Sequence, residues 1–225
     1  MQWLTRDEFL EVLGLTSGAF DQLQHAGHVA LAFGTPLPAT PGRYLDLDLV
    51  AMATNLGLTP SLGREASTAI VAGHFHQWAS AVGHAEADPN QNFFMAVGGV
   101  WDAAKRGSKL LLVTHGTLDQ ITKDFQQIEG LAGFCTINIS DIIRRLRERA
   151  HAAGIDLSRP FFFPPRDPRF DQILTQVKRE RDARIARLRR DKKKFVLAKA
   201  RSSRKDIAVP ARMKAVKYPL PLQGI

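Results

Sequence analysis

The chain of 225 residues has a single cysteine, Cys135, and no long apolar run. One cysteine cannot form an intrachain disulfide, and it excludes a cysteine-rich metal site. No stretch reaches the roughly 18 consecutive apolar residues that indicate a transmembrane helix. The first residues, MQWLTRDEFLEV, have no basic segment followed by an apolar one, as a secretory signal requires. We therefore expect a cytoplasmic protein without membrane association, in which Cys135, within GFCTINI, is a buried and unreactive thiol.

The motifs of phosphate-cradling loops and nucleophile elbows are also missing. GxGxxG, GxxxxGK followed by Ser or Thr, and GxSxG do not occur. One enzymatic alternative stays open, because Thr114, His115 and Asp119 lie near the end of a predicted strand, where α/β enzymes place catalytic groups. No residue pattern names a reaction. We therefore predict a non-enzymatic protein with no cofactor.

A cluster of histidines and carboxylates raises the question of a metal site. His74, His76, His84, Glu86 and Asp88 lie within fifteen residues. On a helix, residues two apart point about 200° away from each other, and residues eight apart are separated by about 12 Å along the axis. Zinc needs ligands about 2 Å from one point. This spacing therefore predicts no metal site.

Charge is divided unequally along the chain. Residues 1–168 contain 13 Lys and Arg against 17 Asp and Glu, a net charge of −4. Residues 169–225 contain 18 against 5, a net charge of +13, and the two values give the total of +9. A mildly acidic body with a strongly basic tail indicates an anionic partner for the tail.

The first part of the chain predicts helices and a hairpin. Thr5 and Glu8 form a capping box that opens a helix with Phe9, Val12 and Leu13 on its apolar face and Gly14 at its end. The next predicted elements are a helix capped by Thr16 or Ser17 and ended by Gly27, and a hairpin formed by HVALAFG and RYLDLDL. A helix from Asp48 to Leu56 follows and is closed by Gly57. A longer helix then begins at Thr59-Pro60 and ends at about His84.

This order resembles the MerR-like family of winged helix-turn-helix domains over residues 3–70. The helix from Thr16 to Ala26, ended by Gly27 and Val29, matches the recognition helix of that family. YLDLDLVAM matches the segment after the wing at Tyr44, Asp48, Leu49 and Met52, and Leu56-Gly57 with Thr59-Pro60 matches the Leu-Gly pair and the helix cap that follow. The resemblance implies a DNA-binding transcriptional regulator that binds paired half-sites as a homodimer.

The recognition helix departs from the family at one position. An arginine near its middle is usual in the family, and Asp21 occupies that position here. A carboxylate repels phosphates, and among base edges it suits only a cytosine amino group. Base and phosphate contacts are nevertheless open to five other residues, namely Ser17, Gln22, Gln24, His25 and, in the wing, Arg43. The alternative is that this winged helix has become a protein-binding module.

The middle of the chain predicts a small α/β module. Three strands are predicted here, at FFMAVGGVWDA, SKLLLVTHG and FCTINI. The segments before and after the third strand have helical patterns, which gives the order β-β-α-β-α. The predicted fold is therefore mainly α with small β content. Its predicted parts are a winged-helix domain with a long following helix (1–84), the α/β module (93–157), a proline-rich linker (158–169), a basic helix (170–206) and an irregular tail (207–225).

The basic segment gives the electrostatic case for nucleic acid. Over residues 178–205 there are 14 Lys and Arg against three Asp and Glu. Each phosphate that such a segment neutralises releases counterions, so duplex DNA is the expected partner, and the apolar stripe is too narrow for a membrane-surface helix. The alternative is an assembly protein, for example of a mobile element or phage, whose basic arm meets an acidic protein. The predicted phosphate contacts are Lys178, Arg179, Arg181, Arg184, Arg187, Arg189, Arg190, Lys192, Lys193 and Lys194.

Overall fold

Over the residues that it describes, the computed structural model combines helices with two small antiparallel sheets, one of two strands and one of three. The structure describes residues 2–32, 42–102, 108–163 and 167–169, with residues 172, 175 and 179. The N-terminal elements are β1 (Trp3–Thr5), α1 (Arg6–Leu13), α2 (Ser17–His25), β2 (Arg43–Leu45), α3 (Asp46–Leu62), α4 (Arg64–Gly73) and α5 (Phe75–Ala87). They are followed by β3 (Phe94–Asp102), β4 (Ser108–Gly116), α6 (Leu118–Gln126), β5 (Leu131–Asn138) and α7 (Ile139–Ala152). The prediction of a mainly α fold with small β content is therefore confirmed.

The first two helices begin as the sequence predicts. The backbone N–H of Thr5 donates to the Glu8 carboxylate at 2.7 Å, and the backbone N–H of Glu8 donates to Thr5 Oγ1, so the capping box is present. Gly14, with φ of 70°, ends α1 in the left-handed conformation that favours glycine. Thr16, rather than Ser17, caps α2, because its Oγ1 accepts from the backbone N–H of Ala19. These signals need only residues within one helical turn.

The predicted hairpin of HVALAFG and RYLDLDL does not form. Residues 28–32 contain no strand, and β2 pairs antiparallel with β1 instead, with Leu4 opposite Tyr44. The strand ends at Leu45, where the Asp48 carboxylate accepts from the Leu45 N–H at 2.8 Å and starts a helix. Local alternation of polar and apolar residues therefore identified a strand, but it did not identify its partner. Residues 33–41, which include the end of the first predicted strand and nearly all of the predicted loop, lie outside the described residues.

The predicted helix boundary at Gly57 to Thr59-Pro60 is also wrong. α3 continues through all three residues and ends before Gly63, whose φ of 81° breaks the helix. Thr59 caps nothing here, since its hydroxyl donates to the Asn55 carbonyl one turn earlier. A Cβ atom on Gly57 would lie 2.2 Å from Ile137 Cδ1. This glycine therefore allows α3 to approach β5 closely, and it does not end a helix.

The β-β-α-β-α order of the middle segment is confirmed, and its sheet is antiparallel with the strand order β4-β3-β5. Alternate residues of β3 face opposite layers. Met95 and Val97 belong to the main core with the helices of the N-terminal part, and Ala96 packs with Ile121 and Phe125 of α6. The sheet is thus covered by helices on both faces near its middle.

One hydrophobic core joins the N-terminal helices, the sheet and α7. Trp78 is fully buried in it, and its indole N–H donates to Thr54 Oγ1 at 3.1 Å. Phe161 and Phe162, in the segment predicted to be a linker, belong to the same core. The domain boundaries drawn from the sequence stay predictions. Among the described residues, no helix is long and apolar enough to cross a membrane.

Candidate nucleic-acid interface

Helix α2, the predicted recognition helix, is attached to the body by one aromatic cluster. Phe20 is buried, and its ring meets Phe9 of α1 and Tyr44 of β2 edge-on, each at 5.8 Å between centroids. Phe9 and Tyr44 stack on each other at 4.2 Å. This cluster fixes the rotation of α2 about its axis, and so decides which of its residues reach solvent.

The predicted contact residues of α2 lie on two sides of the helix. At about 3.6 residues per turn, the side opposite Phe20 carries Gly18, Gln22 and His25. Gln22 and His25 are exposed, and a Cβ atom on Gly18 would meet no other atom within 4 Å. This outward side, formed by Gly18, Gln22 and His25, is called the α2 face below. It holds no lysine or arginine.

The other two contact residues lie on the flank of α2 toward Arg6 of α1, whose guanidinium donates to the Ser17 carbonyl. Ser17 is exposed and Gln24 is half-buried, which leaves Gln24 less room to reach a base. Asp21 lies on the same flank, and its carboxylate accepts from the Arg6 guanidinium of α1 at 2.5 Å. The structure therefore brings together Ser17, Asp21 and Gln24 on the flank, and separates them from the α2 face.

The Arg6–Asp21 ion pair changes the electrostatics expected from the sequence. Arg6 also lies 5.7 Å from the centroid of the Phe20 ring, so the aromatic cluster holds it beside α2. The pair is partly exposed, with 34% and 57% of the side-chain surfaces accessible. Such pairs contribute little to stability, about 0–1 kcal/mol. Their charges cancel at longer range, however, so Asp21 does not leave α2 with an uncompensated negative charge.

Sequence reasoning missed Arg6 as a member of this site. It is the first residue of α1 and lies 15 positions before Asp21. No periodicity or cap signal joins two residues at that distance, because only the packing of α1 against α2 brings them together. The sequence indicates only that Asp21 needs a cation as partner, and Arg6 is one of several cations available.

Arg43, the predicted wing contact, is exposed on β2 opposite Thr5 of β1. It therefore lies next to Tyr44, whose ring packs against Phe20 of α2. Of the predicted phosphate contacts in the basic segment, Arg179 is exposed and within the described residues. Lys178, Arg181, Arg184, Arg187, Arg189, Arg190, Lys192, Lys193 and Lys194 lie outside them.

Asp48 and Asp46, at the start of α3, are buried carboxylates that accept from backbone N–H groups. Asp48 accepts from the backbone N–H of Ala32 at 2.9 Å and from that of Leu45 at 2.8 Å, so it joins residues on both sides of the predicted wing loop. Burial raises the pKa of Asp48 to about 6, although its two N–H donors lower it. Burial also raises the pKa of Asp46, whose carboxylate accepts from the Gln2 N–H.

Two members of the histidine and carboxylate cluster, His84 and Glu86, contact residues outside α5. Glu86 forms an ion pair with Arg147 at 2.9 Å. His84 stacks on Phe93 and lies 6.0 Å from His115 of β4. Burial, with the nearby charges of His84 and His76, lowers the pKa of His115. Among the described residues, no three His, Cys, Asp or Glu side chains are grouped so that they could hold a metal ion.

The residues of the enzymatic alternative are not brought together as a catalytic group. Thr114 donates to Asp124 at 3.3 Å, whereas Asp119 lies in the first turn of α6. Cys135 is half-buried, and burial raises the pKa of its thiol, which disfavours the reactive thiolate. Thr114 and His115 are consecutive residues of β4, so their side chains point to opposite faces of the sheet.

Comparison with known proteins gives no relative on which to base a function. No family model matches the chain, and no curated protein matches it.

Proposed function

We propose that the protein binds duplex DNA, with its basic C-terminal segment neutralising phosphates and α2 and β2 placed against the same duplex, as a transcriptional regulator. The observation that carries the proposal is the division of charge, −4 over residues 1–168 and +13 over residues 169–225. A segment of one sign and this density is expected to bind a polyanion with steep dependence on salt.

The geometry around α2 supports a second contact. The α2 face is open to solvent, Gln22 and His25 on it are able to form hydrogen bonds with base edges, and Arg43 lies on the neighbouring strand pair. The Arg6–Asp21 pair removes the net repulsion that Asp21 alone would cause. A protein-interaction or assembly function is the competing proposal, and the observation that favours it is the absence of Lys and Arg from α2 itself.

A salt series tests the proposal directly. Binding to random-sequence duplex is measured for the full chain and for a chain ending after residue 168. We expect the full chain to lose affinity linearly in the logarithm of salt concentration, with a slope of about −0.9 per phosphate contact. The truncated chain should bind much more weakly. Weak binding by both chains, with no dependence on salt, would contradict DNA binding.

A charge placed on the α2 face distinguishes DNA contact by α2 from DNA contact by the basic segment. Gly18 has open space around its Cα, so Gly18→Lys and Gly18→Glu are matched variants that differ in charge, with Gly18→Ala as the neutral control. If α2 faces the duplex, Gly18→Lys should raise affinity several-fold and Gly18→Glu should lower it. Equal affinity of all three in the full chain would mean that the basic segment binds DNA while α2 serves another partner.

A further inference from the structure

Strand β5 forms an edge of the sheet, since the order β4-β3-β5 gives it a single strand neighbour among the described residues. In an antiparallel sheet, alternate residues direct their N–H and C=O groups to opposite sides. Half of the backbone groups of β5 therefore point away from β3. Such an edge is a template for another strand unless charges, proline, a β-bulge or a cover protect it, and the one register shift in the pairing of β5 lies at Ala132, near its start.

The sequence of β5, LAGFCTIN, contains none of the residues that protect edges. No charged residue and no proline occurs in its eight residues. Ala132, Gly133 and Thr136 are exposed, and Phe134 keeps 43% of its surface accessible although its ring stacks on Phe125 at 4.7 Å. The opposite edge differs in sequence, because β4 contains a charged residue, Lys109.

The partner that this edge fits best is the same edge of a second copy. In a two-fold interface residue i contacts residue j of the copy and j contacts i, so only residues at the axis meet themselves, and a charged residue there meets a like charge. An uncharged strand avoids that repulsion along its whole length, whereas it offers a charged partner nothing to pair with. We propose that β5 pairs antiparallel with β5 of a second copy, which joins two three-stranded sheets into one of six strands.

The symmetry fixes which residues meet at the centre. In an antiparallel two-fold pair, one residue lies directly opposite its own copy, and the middle of β5 places this position at Phe134, Cys135 or Thr136. Opposite residues have Cα atoms about 4.5–5.5 Å apart, within the range of about 4.4–6.8 Å that a disulfide spans. A residue one position from the axis lies about 8 Å from its copy, because each residue rises about 3.4 Å along a strand.

The single native cysteine makes the test simple. We would compare three full-length single-cysteine chains, namely the native chain and Phe134→Cys and Thr136→Cys in a Cys135→Ser background, after oxidation with copper phenanthroline. One of the three should form a disulfide-linked dimer in high yield and the other two should form much less. Failure of all three to form a linked dimer would overturn the proposal.

Solution measurements supply an independent readout. Pairing of two eight-residue strands is a small interface, so we expect reversible dimers over a protein concentration on the order of 1 to 200 µM in sedimentation equilibrium. Thr136→Lys should raise the dimer dissociation constant at least tenfold, while Thr136→Ala should leave it within about twofold. A monomer throughout that range would overturn the proposal.

A lysine on the other edge is the control for position. Leu111 of β4 is 39% exposed, so Leu111→Lys adds the same charge to the same sheet away from β5. It should leave dimerisation unchanged. Loss of the dimer in Leu111→Lys, with retention in Thr136→Lys, would assign the interface to another surface and overturn the proposal. The thermal midpoint of each variant shows whether it is folded.

Discussion

At the scale of single residues, Glu86 and Arg147 form the most deeply placed ion pair of the described residues. The Glu86 carboxylate accepts from Arg147 at 2.9 and 3.0 Å and from the backbone N–H of Phe161 at 3.0 Å. Arg147 also donates to the carbonyl groups of Leu157 and Arg159. The pair therefore holds the chain after α7 against α5.

Removing the Arg147 cation should lower the free energy of unfolding more than removing the negative charge of Glu86. Arg147→Met keeps the apolar stem but leaves the Glu86 carboxylate, only 5% exposed, without its cation. We expect it to lower the free energy of unfolding by about 3 kcal/mol, because breaking a buried pair leaves an unpaired charge. Glu86→Gln, which keeps an acceptor for Phe161, should cost less. Denaturant unfolding gives both values.

An exposed arginine of the same helix provides the control. Arg144 forms ion pairs with Asp141 and Glu148 on the solvent side of α7. Arg144→Met should change the free energy of unfolding by no more than about 0.5 kcal/mol, because exposed pairs contribute little. An equal effect of Arg144→Met and Arg147→Met would contradict the role given to Glu86.

Asp48 makes stability depend on pH in an unusual direction for a carboxylate. Its folded pKa of about 6 lies above its ordinary value of 3.8. The folded state therefore holds the proton more tightly than the unfolded state. Protonated Asp48 stabilises the fold below about pH 4, and this contribution to the free energy of unfolding is lost as the pH rises through about 6. At about 1.4 kcal/mol per pKa unit, the loss is on the order of 2–3 kcal/mol.

The measurement compares the native chain with Asp48→Asn at pH 4 and pH 7. The native chain should lose stability relative to Asp48→Asn over this range, and Asp46 is common to both chains. A relative gain by the native chain would mean that the N–H groups of Ala32 and Leu45 stabilise the carboxylate more than burial destabilises it.

At the scale of elements, the contact of α3 with β5 depends on Gly57. Alanine at this position gains helix propensity of about 1 kcal/mol, but its Cβ atom would lie 2.2 Å from Ile137 Cδ1. We expect Gly57→Ala to be neutral or destabilising in the native chain. In an Ile137→Val background, which lacks Cδ1, the same substitution should stabilise by about 0.5–1 kcal/mol.

A double-mutant cycle from urea unfolding measures this coupling. The two substitutions together should be more stable than the sum of their separate effects predicts. Additive effects would show that Ile137 already has room to move aside, and that Gly57 is not needed for the approach of α3 to β5.

At the scale of the whole molecule, the folded body includes Phe161 and Phe162, which follow α7. Both rings are buried in the main core, and Phe162 meets Phe75 of α5 edge-on. A chain ending after residue 168 keeps them, and it should unfold cooperatively with a midpoint close to that of the full chain. A chain ending after residue 159 should lose at least about 5 kcal/mol, because each buried phenylalanine contributes about 3–5 kcal/mol.

Thermal unfolding followed by circular dichroism compares the three chains. Equal midpoints for the chains ending after residues 159 and 168 would contradict a core role for Phe161 and Phe162. This comparison also shows whether the chain ending after residue 168 is folded when its DNA affinity is measured.

The sequence by itself determined the local features of this protein. The capping box of Thr5 and Glu8, the cap at Thr16 and the β-β-α-β-α order of the middle segment were predicted correctly. Each depends on hydrogen bonds or periodicity within a few neighbouring residues, which the order of residues specifies directly. The charge division between body and tail likewise needs no structure.

The tertiary structure decided which distant residues meet. β2 pairs with β1 rather than with the preceding segment, Gly57 inside α3 leaves room for β5, and Arg6 neutralises Asp21 across 15 positions. Glu86 and Arg147 are 61 positions apart. These contacts result from the burial of a shared core, whose geometry depends on all of its members at once, so no local pattern records them.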